Sequence, residues 1–503
     1  MHKKLAFSFP DEVLEHVFSF IKSDKDRNSV SLVCKSWYKI KQWCWRKVFM
    51  GNCYSVSPRM VIRRFPKFRS IELKGKPHFT DFNPVPDRWG GYVFLWIAKM
   101  AGACPWLEEI KLKRMVVTDE SLELIAKSFK NFKVLVLSSC ERFSTNGPTA
   151  IATGCNQFSD TYASLVSLNI SCLGSDEVSF SALERLVGRC TNPKTLRLNR
   201  EVPLDKISNI LRCAPQLVEF GTGFGIWSQL IFQLFYLVCS KLKSFNLSYA
   251  TIQSPNLIKL LSQCPNLQRL LVLDYTEDSG LEALTSSCKD LQELRVFPSD
   301  PYGVHPNVSL TEHGLVTVSS GCPKLQSVMY FCRRMSNKAL VTTSKNCPNF
   351  TCFRLCIIEP RTDDYLTLEP LDIGFGAIIQ YCQDLQCLSL YGLLTDHVFE
   401  YIGTYVKKLE MLFVVFAGDS DLGLYHVLSG CESLRKLEIR DCPFGQKMSR
   451  LNVEVIDERG PPDSRLESRP FDKLYIYRTV AGPSFDMPSF VWTMEDDLSL
   501  QLS

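Results

Sequence analysis

Apolar residues recur along most of this chain as Leu-x-x-Leu-x-Leu. The clearest copies are Leu107-x-x-Ile110-x-Leu112, Leu267-x-x-Leu270-x-Val272, Leu291-x-x-Leu294-x-Val296 and Leu434-x-x-Leu437-x-Ile439. Further starts fall at Phe132, Leu165, Leu217, Leu242, Leu325, Phe350, Leu385 and Leu409, mostly 24 or 25 residues apart and sometimes 33 to 35. A repeat of this length predicts an α/β solenoid of leucine-rich repeats, a horseshoe in which each repeat supplies a short strand and a returning helix. Side chains alternate along a strand. The leucines therefore point into the core, and the residue between the last two points into the concavity.

The pattern divides the chain into three. Residues 1–50 do not repeat, 51–456 form the solenoid, and 457–503 break the pattern as a C-terminal cap. In the first part, Ser8-Phe9-Pro10-Asp11 predicts a helix start with a Ser-x-x-Asp capping box, followed by Leu14, Val17, Phe18 and Ile21 on one face. Asp24 to Arg27 opens a second helix carrying Val30, Val33, Cys34 and Trp37. So much apolar surface on about forty residues exceeds what so short a module buries alone. It serves either as a cap for the solenoid or as a docking module for a partner.

Composition narrows the classes. A net charge of +5 over 503 residues does not argue for nucleic acid. The longest apolar stretch, Phe224 to Cys239, is too short and too broken to span a bilayer. There are 21 cysteines, and Cys104, Cys190, Cys239, Cys264, Cys288, Cys322, Cys347, Cys382 and Cys431 each precede a first repeat position by three residues. That regularity makes them small core residues and points to a reducing compartment. No Cys-x-x-Cys pair, phosphate-binding loop or nucleophile motif is present. The chain is expected to hold no metal and to be a binding scaffold rather than an enzyme.

The concave positions are Lys111, Val136, Asn169, Arg197, Asn246, Leu271, Arg295, Met329, Arg354, Ser389, Phe413 and Glu438, with Lys74, Lys113, Arg114 and Arg440 just beyond. Arginine and lysine gathered in a concavity suit phosphate and carboxylate oxygens; the alternative is a solvated basic face. The long spacings insert loops, Phe297 to Pro301 and Ile358 to Leu371, on the face solenoids use for binding. The loop Lys74-Gly-Lys-Pro-His-Phe-Thr-Asp-Phe-Asn83 carries two aromatics. It is a ligand wall or a plug for the solenoid end.

Phe9-Pro-Asp-Glu-Val-Leu14 with Ser31-Leu-Val-Cys-Lys-Ser-Trp37 resembles an F-box. Lys74 to Asn83, Trp89-Gly-Gly-Tyr92, Leu112 to Thr118, Phe353 to Pro360, Ala417 to Gly423 and Arg440-Asp-Cys-Pro443 resemble the plant auxin receptor F-box proteins over essentially the whole chain. The resemblance implies a nuclear substrate receptor of an SCF ubiquitin ligase. It would dock a Skp-type adaptor through Pro10, Glu12, Leu14, Val17 and Leu32, join the cullin of the SCF complex, and touch neither nucleic acid nor membrane. Auxin (indole-3-acetic acid) would meet Arg354 and Ser389, with Phe79, Phe82, Leu355, Cys356, Phe413, Val414 and Val415 around it. His78, Asp81, Phe331, Glu438 and Arg440 would face the degron of an Aux/IAA repressor. Inositol hexakisphosphate would lie on Lys74, Lys113, Arg114, Arg295, Arg435, Lys436 and Arg361.

The chain departs from that family. Cys352 and Cys387 stand where it has arginines, Phe413 and Val415 where it has a serine and an alanine, and Tyr391 where it has a small residue. Repeat sequence is missing after Cys155, after Gly223 and after Gly445. These departures imply weakened hormone and phosphate binding. The alternative is an F-box repeat protein that takes its substrate without hormone.

Overall fold

The computed structural model describes residues 10–21, 26, 29–30, 32–51, 53, 56–75, 91–138, 140, 142–154, 166–171, 180–190, 192–223, 229–248, 250–298, 309–358, 362–434, 436–440, 442–443, 454–457 and 475–479. The chain divides into two compact units, Met1–Leu196 and Arg197–Ser503.

The first unit opens with helices Asp11–Ser19 and Lys35–Cys44. Leu14, Phe18 and Ile40 close a small core between them, with Trp37 edge-on to Phe18 at 5.2 Å. The first helix starts at Asp11 with Pro10 as its N-cap and no side-chain cap there; Ser8, the cap expected from the sequence, lies outside the described residues. The single helix expected from Val30 to Trp37 is interrupted by a turn at Leu32 and Val33. Cys34 is extended, and its sulfur accepts from Trp37 N at 3.4 Å, so it caps a new helix. Apolar spacing alone cannot reveal a break made by a capping side chain.

The ladder begins earlier than residue 51. Strand β1 (Lys47–Met50) pairs in parallel with β2 (Ser70–Lys74), followed by β3 (Glu109–Lys113), β4 (Val134–Ser138) and β5 (Ser167–Ser171). The helical module is therefore continuous with the repeats through one strand. Helices Pro58–Arg64, Val93–Ala103, Asp119–Ser128, Asn146–Gly154 and Phe180–Arg189 alternate with these strands. Ile71, Leu73, Ile110, Leu112, Leu135 and Leu137 fill the inner face, as the pattern requires.

Strand β6 (Thr195–Glu201) lies at the division. The second unit continues with β7 (Glu219–Gly223), β8 (Ser244–Asn246), β9 (Arg269–Leu273), β10 (Glu293–Phe297), β11 (Ser327–Cys332), β12 (Cys352–Ile357), β13 (Cys387–Leu394), β14 (Met411–Ala417) and β15 (Lys436–Arg440). From β7 to β15 each pairs in parallel with the next. The order then changes. β15 pairs not with the next segment, β16 (Glu454–Asp457), but with β17 (Tyr475–Thr479), and β16 pairs on its far side. Parallel pairing thus runs past the boundary drawn at residue 456.

Two side-chain ladders tie successive repeats together. The repeat cysteines are buried and form no disulfide. Cys288 donates to Cys264 O at 3.5 Å, Cys322 to Cys288 O at 3.7 Å, Cys347 to Cys322 O at 3.9 Å and Cys382 to Cys347 O at 3.6 Å. Each weak thiol bond satisfies a carbonyl at a helix end. At the other end, an acid in the first turn of one helix caps the start of the next. Asp119 accepts from Ser144 N at 2.8 Å, Asp372 from Thr395 N at 2.9 Å and Asp396 from Asp419 N at 2.9 Å.

Candidate functional site

Three surfaces carry the residues singled out by sequence. The first lies on the N-terminal helices. Val17 and Leu32 are 50% and 86% exposed, and Val13, Phe20 and Val33 join them as solvent-facing apolar residues. Pro10 and Glu12 are exposed as well. Leu14 differs: it is 9% exposed and belongs to the module's own core. A face of this kind beside a closed core is built for a protein partner.

The second surface is the basic end of β2 and β3. In register, Lys74 lies opposite Lys113 and Glu72 opposite Lys111. Arg114 follows with a φ of 51°, turning the chain sharply as it leaves β3, and its N–H donates to Ser138 O at 2.9 Å. Gly75 permits this bend, because a Cβ there would run into the Arg114 carbonyl. Glu72 was missed in the sequence. It sits two positions before Lys74, and alternation puts both on one face. Burial raises its carboxyl above the ordinary range, while Lys111, Lys113 and Lys74 pull the other way.

The third surface crosses the second unit. Adjacent strands bring Met329, Arg354, Ser389, Phe413 and Glu438 into one row. A parallel row takes Phe331 beside Cys356, and Tyr391, Val415 and Arg440 together. Strand alternation sends Leu355 and Val414 to the opposite, core face. They are buried there, and their side chains do not join Arg354 and Phe413.

The row is filled rather than open. Arg354 is 2% and Phe413 3% exposed. The Arg354 Nε donates to Cys387 Sγ at 3.1 Å, and its guanidinium carbon lies 5.0 Å from the Phe413 ring centre. Ser389 Oγ donates to Leu355 O at 3.2 Å. A buried cation over an aromatic face is held by about 2 kcal/mol. The Phe413 ring thus covers one face of the Arg354 guanidinium.

The other arginines of this face are paired by acids that single-position reading overlooked. Arg197 Nη2 donates to Glu219 Oε2 at 2.8 Å, and Glu219 also holds Arg269. Arg295 Nε pairs with Glu293 Oε1 at 2.5 Å. Burial lowers the Arg197 pKa from its ordinary value, against the favourable field of Glu219. Glu293 precedes Arg295 by two positions, the same alternation signal as Glu72 and Lys74. Arg295 is thus paired within its own strand. His78, Phe79, Asp81, Phe82, Arg361 and Arg435 lie outside the described residues, as do the side chains of Lys436 and Arg440. Among the described residues no cluster of acids, histidines and cysteines could hold a metal, and no helix is long and apolar enough to cross a membrane.

Comparison with known proteins adds family evidence. Residues 6–47 match the F-box model, and residues 66–112 match the transport inhibitor response 1 protein domain. The chain is 52% identical to GRR1-like protein 1 of Arabidopsis thaliana, covering 97% of this chain and 98% of that protein. It is 48% identical to a transport inhibitor response 1-like protein of Oryza sativa over 96% of each, and 28% identical to coronatine-insensitive protein 1 of Arabidopsis over 87% and 82%. The alignment with the first spans 573 positions, more than the 503 residues of this chain, so that relative carries internal segments missing here.

Proposed function

This chain belongs to the family of plant F-box proteins related to transport inhibitor response 1, and we infer that it is the substrate-recognition subunit of an SCF-type ubiquitin ligase, taking Aux/IAA repressors as substrate with auxin in the contact. The carrying observation is the exposed apolar face of Val13, Val17, Phe20, Leu32 and Val33, left over after Leu14, Phe18 and Ile40 have closed the core. A Skp-type adaptor would cover that face and link the chain to its cullin. The chain would do no chemistry, acting by holding a substrate near a ubiquitin-conjugating enzyme in the nucleus.

The auxin carboxylate would meet Arg354 and Ser389, neighbours across β12 and β13. Lys74, Lys113 and Arg114 would hold inositol hexakisphosphate, supplying cationic charge to a buried polyphosphate. A second reading, capture of the repressor without hormone, is favoured by the contacts of Arg354 with Phe413 and Cys387. The test is capture of an Aux/IAA degron peptide by the full chain bound to its adaptor, with and without auxin. Capture enhanced by hormone supports the first reading, equal capture the second, and failure to bind the adaptor overturns both.

A further inference from the structure

Ten of the chain's 58 lysines and arginines, and none of its 53 acids, fall within residues 35–69. The rest of the chain therefore carries 48 basic against 53 acidic groups. The concentration is on the surface. Lys35, Lys39, Arg59, Arg63 and Arg64 are all exposed. One side-chain contact links the two helices that carry them: Arg64 Nη1 donates to Tyr38 OH at 3.5 Å. Lys35, Tyr38 and Lys39 are spaced to share one face of helix Lys35–Cys44, and that is the side Arg64 meets. On helix Pro58–Arg64 the buried residue is Val61, leaving Arg59, Arg63 and Arg64 outward.

The acids that reach this region lie at its inner edge. Glu15 takes Arg46 at 2.9 Å and Lys67 at 3.1 Å, and Glu108 takes Arg69 at 2.8 Å. Neither acid is paired with Arg59, Arg63, Lys35 or Lys39. Exposed like charges so gathered repel one another and weaken the fold slightly. A partner with opposite charge reverses that cost.

We propose that this basic strip is an electrostatic extension of the adaptor-docking face, and that its occupant is an acidic segment of the partner chain that covers the exposed apolar residues. The proposal rests on the adaptor reading above. The strip runs directly on from that face: Leu32 and Val33 are exposed apolar residues, and Lys35 follows them on the next helix. A nucleic acid would satisfy the arginines but leave Val17, Phe20 and Leu32 in water. A protein that is apolar at its centre and acidic at its rim satisfies both. Rim charges of this kind act mainly on the association rate and its salt dependence.

The experiment measures binding of the full chain to a recombinant plant Skp-type adaptor by stopped flow, across ionic strengths. Arg59→Glu with Arg63→Glu and Lys39→Glu is expected to lower the association rate about tenfold at low salt. The difference should close at high salt, with dissociation little changed. Arg59→Gln with Arg63→Gln should give an intermediate loss, and circular dichroism verifies that each variant folds. Val17→Asp is the control, expected to abolish binding. If wild type binds and Val17→Asp does not, but the reversals leave rate and salt slope unchanged, the strip proposal is overturned while the adaptor reading stands. If wild type does not bind, the adaptor reading itself fails, and the strip proposal with it. Association of wild type with phosphatidylserine vesicles or poly(A) RNA that the same reversals abolish, beside unchanged adaptor kinetics, would overturn the proposal in favour of that other partner.

Discussion

At the scale of single residues, burial separates the cysteines sharply. Burial raises the thiols of Cys104, Cys322 and Cys431 to about 11 and those of Cys288, Cys347 and Cys382 to about 12. The thiolate is the reactive form. At pH 8 alkylation of the folded protein should therefore label exposed Cys34 and Cys213 and spare the six buried ones; mass spectrometry of the digest checks this. Labelling of Cys288 as fast as Cys34 would contradict the ladder. Phe413 is the residue on which the hormone question turns. Phe413→Ser with Val415→Ala removes the ring from Arg354 and widens the row. It should raise auxin-dependent degron capture, at a stability cost of about 3 kcal/mol for the lost core volume. Unchanged capture in a folded variant would show that the ring does not control access to Arg354. Arg354, Ser389 and Phe413 were legible in the sequence, because period and alternation alone put them on one face. Their burial was not. It depends on the sizes of neighbours across three strands, and a pattern read one strand at a time does not register them. Glu72, Glu219 and Glu293 were overlooked for the related reason that only one outward position per strand was counted.

At the scale of elements, the repeat period revealed strands and helices because each inner leucine has one place to go. Breaks that rest on capping or on long-range pairing stayed hidden. The interruption before Cys34 is one, and the pairing of β15 with β17 is the other. The acid ladder between helices gives a pH prediction. Burial tends to raise the Asp396 carboxyl, but bonds from Ser420 and Asp419 outweigh it and hold the pKa below its ordinary value. A carboxyl depressed by folding stabilises above its unfolded pKa of about 4, and that contribution fades as pH falls through the folded value. Asp396→Asn should therefore cost about 1 kcal/mol at pH 7 and progressively less below about pH 4. Thermal melts of both proteins at matched pH would detect this; a difference that grows on acidification would refute it. Helix packing in the same region depends on Gly403 and Gly430. A Cβ on Gly430 would run into the Gly403 backbone, and one on Gly403 into the His426 carbonyl. Gly430→Ala should therefore lower stability by about 1–3 kcal/mol, measurable by denaturant unfolding.

At the scale of the whole molecule, the chain reads as a family member with segments removed. The alignment with its Arabidopsis relative spans 573 positions against 503 residues here, so that relative carries segments this chain lacks. Repeat proteins tolerate such losses because stability is largely nearest-neighbour, and unbroken pairing from β7 to β15, with β17 taking the next place, shows how the end of this ladder is closed. Ligand binding is less forgiving, since contacts to one ligand come from distant repeats. Arg295 is paired with Glu293, and positions 352 and 387 carry cysteines rather than cations. Restoring the relative's segment after Gly445, together with Cys352→Arg and Cys387→Arg, should tighten binding of inositol hexakisphosphate. One charge-assisted contact contributes about 1.5–3 kcal/mol, so each arginine that engages the ligand should improve affinity about tenfold or more. Isothermal titration on the full chain with its adaptor measures this directly. If the restored chain binds no more tightly than the original, the lost repeat and the two cysteines are not what weakens the site. The pairing of Arg295 with Glu293 would then be the obstacle, and Glu293→Gln the variant that relieves it.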